Sequence, residues 1–90
     1  MIQRHVLITG KVQGVGFRAA VLNQAMLLGD LKGWVRNLNA GQVEAVFCGE
    51  EQAVLKMVQW CSDGPSSSEV QDVAVSEQEP DADLGSFTVR

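Results

Sequence analysis

Tyrosine is absent, and two tryptophans and three phenylalanines are scattered over 90 residues. The clustered aromatics on which RNA-reading sheets stack bases are therefore missing. A single histidine, His5, stands near the N-terminus with no serine or cysteine beside it to activate, so triad-type nucleophilic catalysis finds no support. It reads as a surface or rim residue. Two cysteines, Cys48 and Cys61, have no C-x-x-C or Cys/His spacing. They read as free, mostly buried thiols in a reducing compartment, and no side-chain set has the spacing of a metal site. No apolar run approaches the roughly 18 residues that span a bilayer. The first five residues lack the charged-then-apolar pattern of a signal peptide, which leads us to expect a soluble cytoplasmic protein with no membrane partner.

Positive charge is also scarce, and it is unevenly placed. The formal net charge is −4. Residues 1–49 carry five Lys/Arg against two acids, a balance of +3, whereas residues 50–90 carry two against nine, a balance of −7. The total argues against sequence-independent nucleic-acid binding, which runs on excess Lys and Arg. The basic half still suits a small anionic ligand, because the local field matters more than the sum. The length is that of one domain, residues 1–90, with a modest core.

What the chain does have is glycine in one place. Gly10-Lys11-Val12-Gln13-Gly14-Val15-Gly16-Phe17-Arg18 puts three glycines in seven residues between a strand-like and a helix-like run. Glycine reaches left-handed backbone angles without steric cost. Successive N–H groups can then turn inward as an anion-binding nest, with a helix N-terminus behind them. Arg18 adds a planar fork that matches phosphate oxygens in pairs. Two readings stand at this level: a phosphate cradle, or a Gly-rich β-to-α turn with a surface arginine.

The hydrophobic pattern places this stretch in a fold. Residues 4–12 read as a central strand with Val6, Ile8, Gly10 and Val12 on one face. A helix follows from Phe17 or Arg18 to Leu28, with Val21, Leu22, Ala25, Met26 and Leu28 as its apolar stripe and Gly29 as its C-cap. Residues 31–38 and 42–48 read as a hairpin around Asn39-Ala40-Gly41. Glu50-Glu51 opens a second helix whose stripe holds Ala53, Val54, Met57, Val58, Trp60 and Cys61; Asp63-Gly64-Pro65 stops it. Residues 70–76 form a strand with Val73 and Val75 inward, residues 77–83 a solvated acidic loop, and residues 86–89 a short last strand. The order β-α-β-β-α-β, with a short extra strand, is the α+β, ferredoxin-like split βαβ arrangement: an antiparallel sheet with two helices on one face.

Known phosphate loops fit poorly. No Lys-Ser/Thr follows the glycines. Gly14-Val15-Gly16-Phe17-Arg18-Ala19 satisfies G-x-G-x-x-[G/A], but no acid stands about 20 residues on and the hairpin breaks the alternation a dinucleotide sheet requires. The remaining polar residue of interest is Asn37, at the end of a strand. It reads either as a turn former or as part of a site.

The residues as a set are similar to one family. Gly10 to Arg18 resembles the G-x-V-Q-G-V-x-F-R signature of the acylphosphatases. Gly33-Trp34-Val35-Arg36-Asn37 with Gly41-Gln42-Val43-Glu44 resembles the second signature, and Trp60, Gly64-Pro65 and Phe87 also match. The resemblance implies hydrolysis of an acyl phosphate to a carboxylate and inorganic phosphate, with no metal or organic cofactor. It implies that Arg18 binds the phosphoryl group with main-chain N–H groups of Gln13, Gly14, Val15, Gly16 and Phe17, and that Asn37 positions the attacking water; Arg18 and Asn37 are the catalytic pair. Against the family pattern Asp30 is an extra residue, read as a local bulge. Ala19-Ala20 stand where bulkier residues are common, and Ala40 where Asp or Asn is usual. A monomer acting on a small molecule, without nucleic acid, is expected. The alternatives are a non-catalytic phosphate-binding module and an RNA-binding protein using Trp34, Lys32 and Arg36 on the open sheet face.

Overall fold

The structure, a computed structural model, describes residues 1–39 and 41–90. The strand β1 (Ile2–Lys11) is followed by the helix α1 (Phe17–Leu28), the strands β2 (Lys32–Asn37) and β3 (Gln42–Gly49), the helix α2 (Glu51–Asp63), and the strands β4 (Glu69–Gln78) and β5 (Thr88–Val89). The sheet order is β4-β1-β3-β2-β5, so β1 is an inner strand, as its two apolar faces imply. Both helices lie on one face, α1 over β2 and β5, and α2 over β1, β3 and β4. Two helices set on a sheet of this order make the ferredoxin-like arrangement.

Period-2 burial on β1, β2 and β3 meets period-3.6 burial on the helices. Val6, Ile8, Val35, Val43, Ala45 and Phe47 face Phe17, Val21 and Ala25 of α1 and Val54, Met57 and Cys61 of α2, all in one core. Each large aliphatic or aromatic side chain fully buried this way contributes about 1.5–3 kcal/mol. Trp60 packs at the edge of this core, its ring centroid 6.0 Å from that of Phe17.

Four expectations change. Met26 is 70 % exposed rather than part of the buried stripe, and Leu27 is 81 % exposed. The cause is the short β2–β5 edge beneath α1, which covers only the narrow row Phe17, Val21 and Ala25. Val75 points to the helix side opposite Val6 but is 46 % exposed, because β4 is an edge strand with cover on one flank only. The acidic run is not wholly a loop: β4 continues through Glu77 and Gln78, which pair with Arg4 and Gln3, and the Asp81 N–H donates to Gln3 Oε1 at 2.8 Å. The last strand is shorter than expected and pairs parallel to β2, Trp34 with Thr88 and Val35 with Val89, so the sheet is not purely antiparallel.

The backbone at Asp30 is unusual. Asp30 is the one non-glycine among the described residues with positive φ, 52°, a conformation that Asp tolerates better than most side chains. It follows the C-cap Gly29 and is exposed, and the next residue, Leu31, is buried again. The register Lys32–Cys48 through Asn37–Val43 is unbroken, so β2 runs regularly from Lys32 to Asn37. Ala40 lies outside the described residues.

Candidate functional site

The loop after β1 is built for open donors. Gly14 and Gly16 both adopt φ 74°, which costs a non-glycine residue about 1–2 kcal/mol. Gly16 is the N-cap of α1; no side chain caps the helix and no acid stands in its first turn. Ala20 N–H makes the first helical bond, to Gly16 O at 2.9 Å. The preceding N–H groups lack intrahelical acceptors, and they carry the positive end of the helix dipole.

A cavity of about 270 Å³ opens there, lined by Val12, Gly14, Gly16, Phe17, Arg18, Ala19, Leu22, Asn37 and Val89. Arg18, from the first turn of α1, and Asn37, from the last position of β2, thus share one space although they are far apart in sequence. The hairpin pairing Asn37–Val43 carries Asn37 to the end of the sheet from which the loop leaves β1. One donor of Arg18 is engaged: Nη1 donates to the main-chain oxygen of Arg90 at 2.9 Å. Its guanidinium forms no ion pair with a carboxylate among the described residues. Asn37 Oδ1 is buried and has no hydrogen-bond partner among the described residues. An orphan acceptor of this kind costs about 1–3 kcal/mol and calls for a physical reason.

Of the loop residues expected to bind phosphate, Gly14, Gly16, Phe17 and Arg18 line the cavity; Gln13 and Val15 do not. The side chain of Gln13 donates through Nε2 to the carbonyls of Asn39 and Gln42, each at 2.7 Å, and clamps the loop to the hairpin. Ser67 Oγ donates to Val15 O at 3.0 Å and ties down the other flank. These clamps were invisible in the sequence, since both depend on loops that meet only in the fold. Leu22 and Val89 were missed as walls for the same reason: Val89 arrives through the parallel pairing of β5. Ala19, a small residue in the wall, was legible directly.

The remaining titratable groups sit elsewhere. Burial pushes the Cys61 thiol up to about 12, leaving it an inert core residue. On the sheet face opposite the helices, Glu44 accepts from Arg36 Nε at 2.6 Å and lies 2.7 Å from His5 Nε2. Burial alone would raise the Glu44 carboxyl, but the hydrogen bonds of His5 and Arg36, with their charge, hold it below its ordinary value. The aromatic that stood as an RNA platform, Trp34, has two guanidiniums over its ring, Arg36 at 5.1 Å and Arg90 at 4.6 Å from the centroid. Among the described residues no cluster of His, Cys, Asp or Glu is arranged to hold a metal, and no helix is long and apolar enough to cross a membrane.

Comparison with known proteins converges. The acylphosphatase family model matches residues 4–89. A curated acylphosphatase of Trichormus variabilis is 52 % identical over 90 residues, covering 100 % of this chain and 87 % of the relative. The crystal structure of an acylphosphatase from Bacillus subtilis superposes with a TM-score of 0.92 at 34 % identity, covering 100 % of this chain and 99 % of that one. The structure of an acylphosphatase from Coxiella burnetii gives a TM-score of 0.91 at 40 % identity, covering 99 % and 92 %.

Proposed function

The chain belongs to the acylphosphatase family and its activity is acyl phosphate hydrolysis; from that premise we propose how its own residues carry the reaction. Arg18 and the free N–H groups of the Gly14–Gly16 turn and the start of α1 hold the phosphoryl group. Asn37 orients the water. The observation that carries this reading is the Oδ1 of Asn37, an acceptor unpaired among the described residues, on a residue that shares a cavity with Arg18. The terminal torsion of asparagine is broad and roughly two-fold. A turn about it presents Oδ1 to a water in the cavity and satisfies it there.

The water oxygen forms a bond to phosphorus as the bond from phosphorus to the acyl oxygen breaks, and the electron pair leaves with the carboxylate. A carboxylate is a weak base, its acid having a pKa of about 4, so departure needs no general acid. Charge in a loose phosphoryl-transfer transition state spreads over the equatorial oxygens, where a guanidinium fork and fixed N–H groups act best. Among the described residues the cavity lining offers no carboxylate or imidazole, and a phosphate oxygen of the substrate accepts the proton of the attacking water. The products are a carboxylate and inorganic phosphate. The proposal assigns no metal or organic cofactor, and places the enzyme in the cytoplasm as one domain acting as a monomer without nucleic acid.

Benzoyl phosphate hydrolysis, run with and without a chelator, tests the whole reading. Arg18→Ala is expected to abolish competition by inorganic phosphate and to lower the rate about 10²–10³-fold. Asn37→Ala is expected to lower kcat while phosphate competition stays intact. Full kcat in Asn37→Ala would remove the water-orienting role. Loss of activity on chelation would remove the metal-free route. Phosphate binding with no hydrolysis by the unaltered protein would favour the non-catalytic module.

A further inference from the structure

We infer that Trp34 and the side chain of Arg90 are positioning residues that set the Arg18 guanidinium from the opposite side of the sheet. The inference rests on the phosphate-binding role assigned to Arg18. Residue 90 is held at three points. Its N–H donates to Val35 O at 2.8 Å, its guanidinium lies 4.6 Å from the centroid of the Trp34 ring, and its main-chain oxygen accepts from Arg18 Nη1 at 2.9 Å. The strand that leads to it, β5, has only two residues and two paired positions, too few to fix its end firmly. The contact with the ring supplies what the short ladder lacks.

Trp34 lies on the face away from the helices, in register with Val46, and Val35, one position on, points into the core. One strand therefore anchors residue 90 twice, through the Val35 carbonyl and through the Trp34 ring. The two guanidiniums over that ring are not equivalent. Arg36 is neutralised by Glu44 at 2.6 Å, whereas Arg90 makes no ion pair among the described residues. Its charge is left for the ring quadrupole. With Nη1 of Arg18 fixed on the Arg90 oxygen, Nε and Nη2 make no other hydrogen bond among the described residues. They are the edge that a phosphate can take two oxygens at a time, pre-set before substrate arrives.

Arg90→Ala removes the guanidinium but keeps the main-chain oxygen. Arg90→Ala and Trp34→Leu are each expected to raise KM for benzoyl phosphate and the inhibition constant for inorganic phosphate about 3- to 10-fold, the span of one cation–π contact. Because the loss is in holding the phosphate in ground and transition state alike, kcat stays within about twofold. Arg90→Lys and Trp34→Phe, which keep a cation over a ring, are expected to restore most of the loss. In an Arg18→Ala background, Arg90→Ala is expected to change neither kcat nor KM any further, as a cycle through a shared partner requires. If Trp34→Leu proves unfolded by circular dichroism, the Arg90 pair decides alone. Unchanged phosphate inhibition in Arg90→Ala, with Arg18→Ala inactive toward phosphate, would overturn this inference and leave the site reading standing. Unchanged phosphate inhibition in Arg18→Ala would instead overturn the site reading itself.

Discussion

Asn37 holds its Oδ1 buried without a partner among the described residues, an arrangement that costs the fold until a cavity water meets it. Removing a buried acceptor that has no partner ordinarily relieves about 1–3 kcal/mol. Asn37→Ala is therefore expected to unfold at an equal or higher temperature than the parent even as kcat falls, a divergence that differential scanning calorimetry and a rate assay read together. A parallel fall in both would mean that Asn37 is a packing residue. Gly16 gives the opposite case. Nothing among the described residues lies within 4 Å of the position a Cβ would take, so Gly16→Ala meets only the cost of φ 74°. The expected loss is about 1–2 kcal/mol in chemical denaturation, with weaker phosphate inhibition as the loop relaxes toward negative φ. Cys48 and Cys61 are both buried. A thiol reagent is expected to label neither until denaturant unfolds the chain; rapid labelling of the native protein would contradict the burial of Cys61 on α2 or of Cys48 on β3.

At the scale of elements, the site is a junction of three pieces: the Gly-rich loop, the start of α1 and the end of the β2–β3 hairpin. Gln13 joins the first to the third through the carbonyls of Asn39 and Gln42. Gln13→Leu leaves both carbonyls without that donor. It is expected to speed amide hydrogen exchange at the hairpin end and to raise KM, with little change in the exchange of α2. How much of this was legible follows from where each signal resides. The periods of α2 and of the β2–β3 pair survive into the structure because their apolar residues are covered on the expected sides. Arg18 and Asn37 stood out because each ends a short, distinctive run. The clamp of Gln13, the wall made by Val89 and the exposure of Met26 were not legible, since all three depend on which segments become neighbours. The parallel direction of β5 belongs to the same class: two residues carry no directional pattern of their own.

Across the whole molecule the uneven charge acquires a geometry. β4 and the chain that follows it hold six of the nine acids of residues 50–90 at one edge of the sheet, with the ion pair Arg4–Glu77 at 3.6 Å and the exposed pair Lys11–Glu69, the latter contributing little. Arg18, Lys32, Arg36 and Arg90 belong to the elements at the other edge, where the cavity opens. Anionic substrate therefore approaches the basic end, and kcat/KM is expected to fall as salt screens it. Acid acts through Glu44. Its carboxyl titrates below 4.5 in the folded protein, so the folded state binds fewer protons there than the unfolded chain does. That contribution to stability is present above 4.5 and lost as the pH falls through the lower folded value. Glu44→Gln is expected to flatten this part of the acid unfolding curve; an unchanged curve would assign acid unfolding to other carboxylates.

The last strand has one more effect, on the order of events in folding. Val89 completes the cavity wall and β5 pairs with β2, while β1 joins β3 and β4, its partner residues lying as far apart in sequence as Gln3 and Gln78. Pairings of such span pay chain entropy before they gain contact energy, which makes refolding slower than that of a helical bundle of the same size. No early compact form can possess the complete pocket, because its parts come from both ends of the chain. Regained enzymatic turnover after dilution from denaturant should therefore keep pace with the slowest major phase of Trp34 and Trp60 fluorescence, making catalysis itself a reporter of the final assembly step.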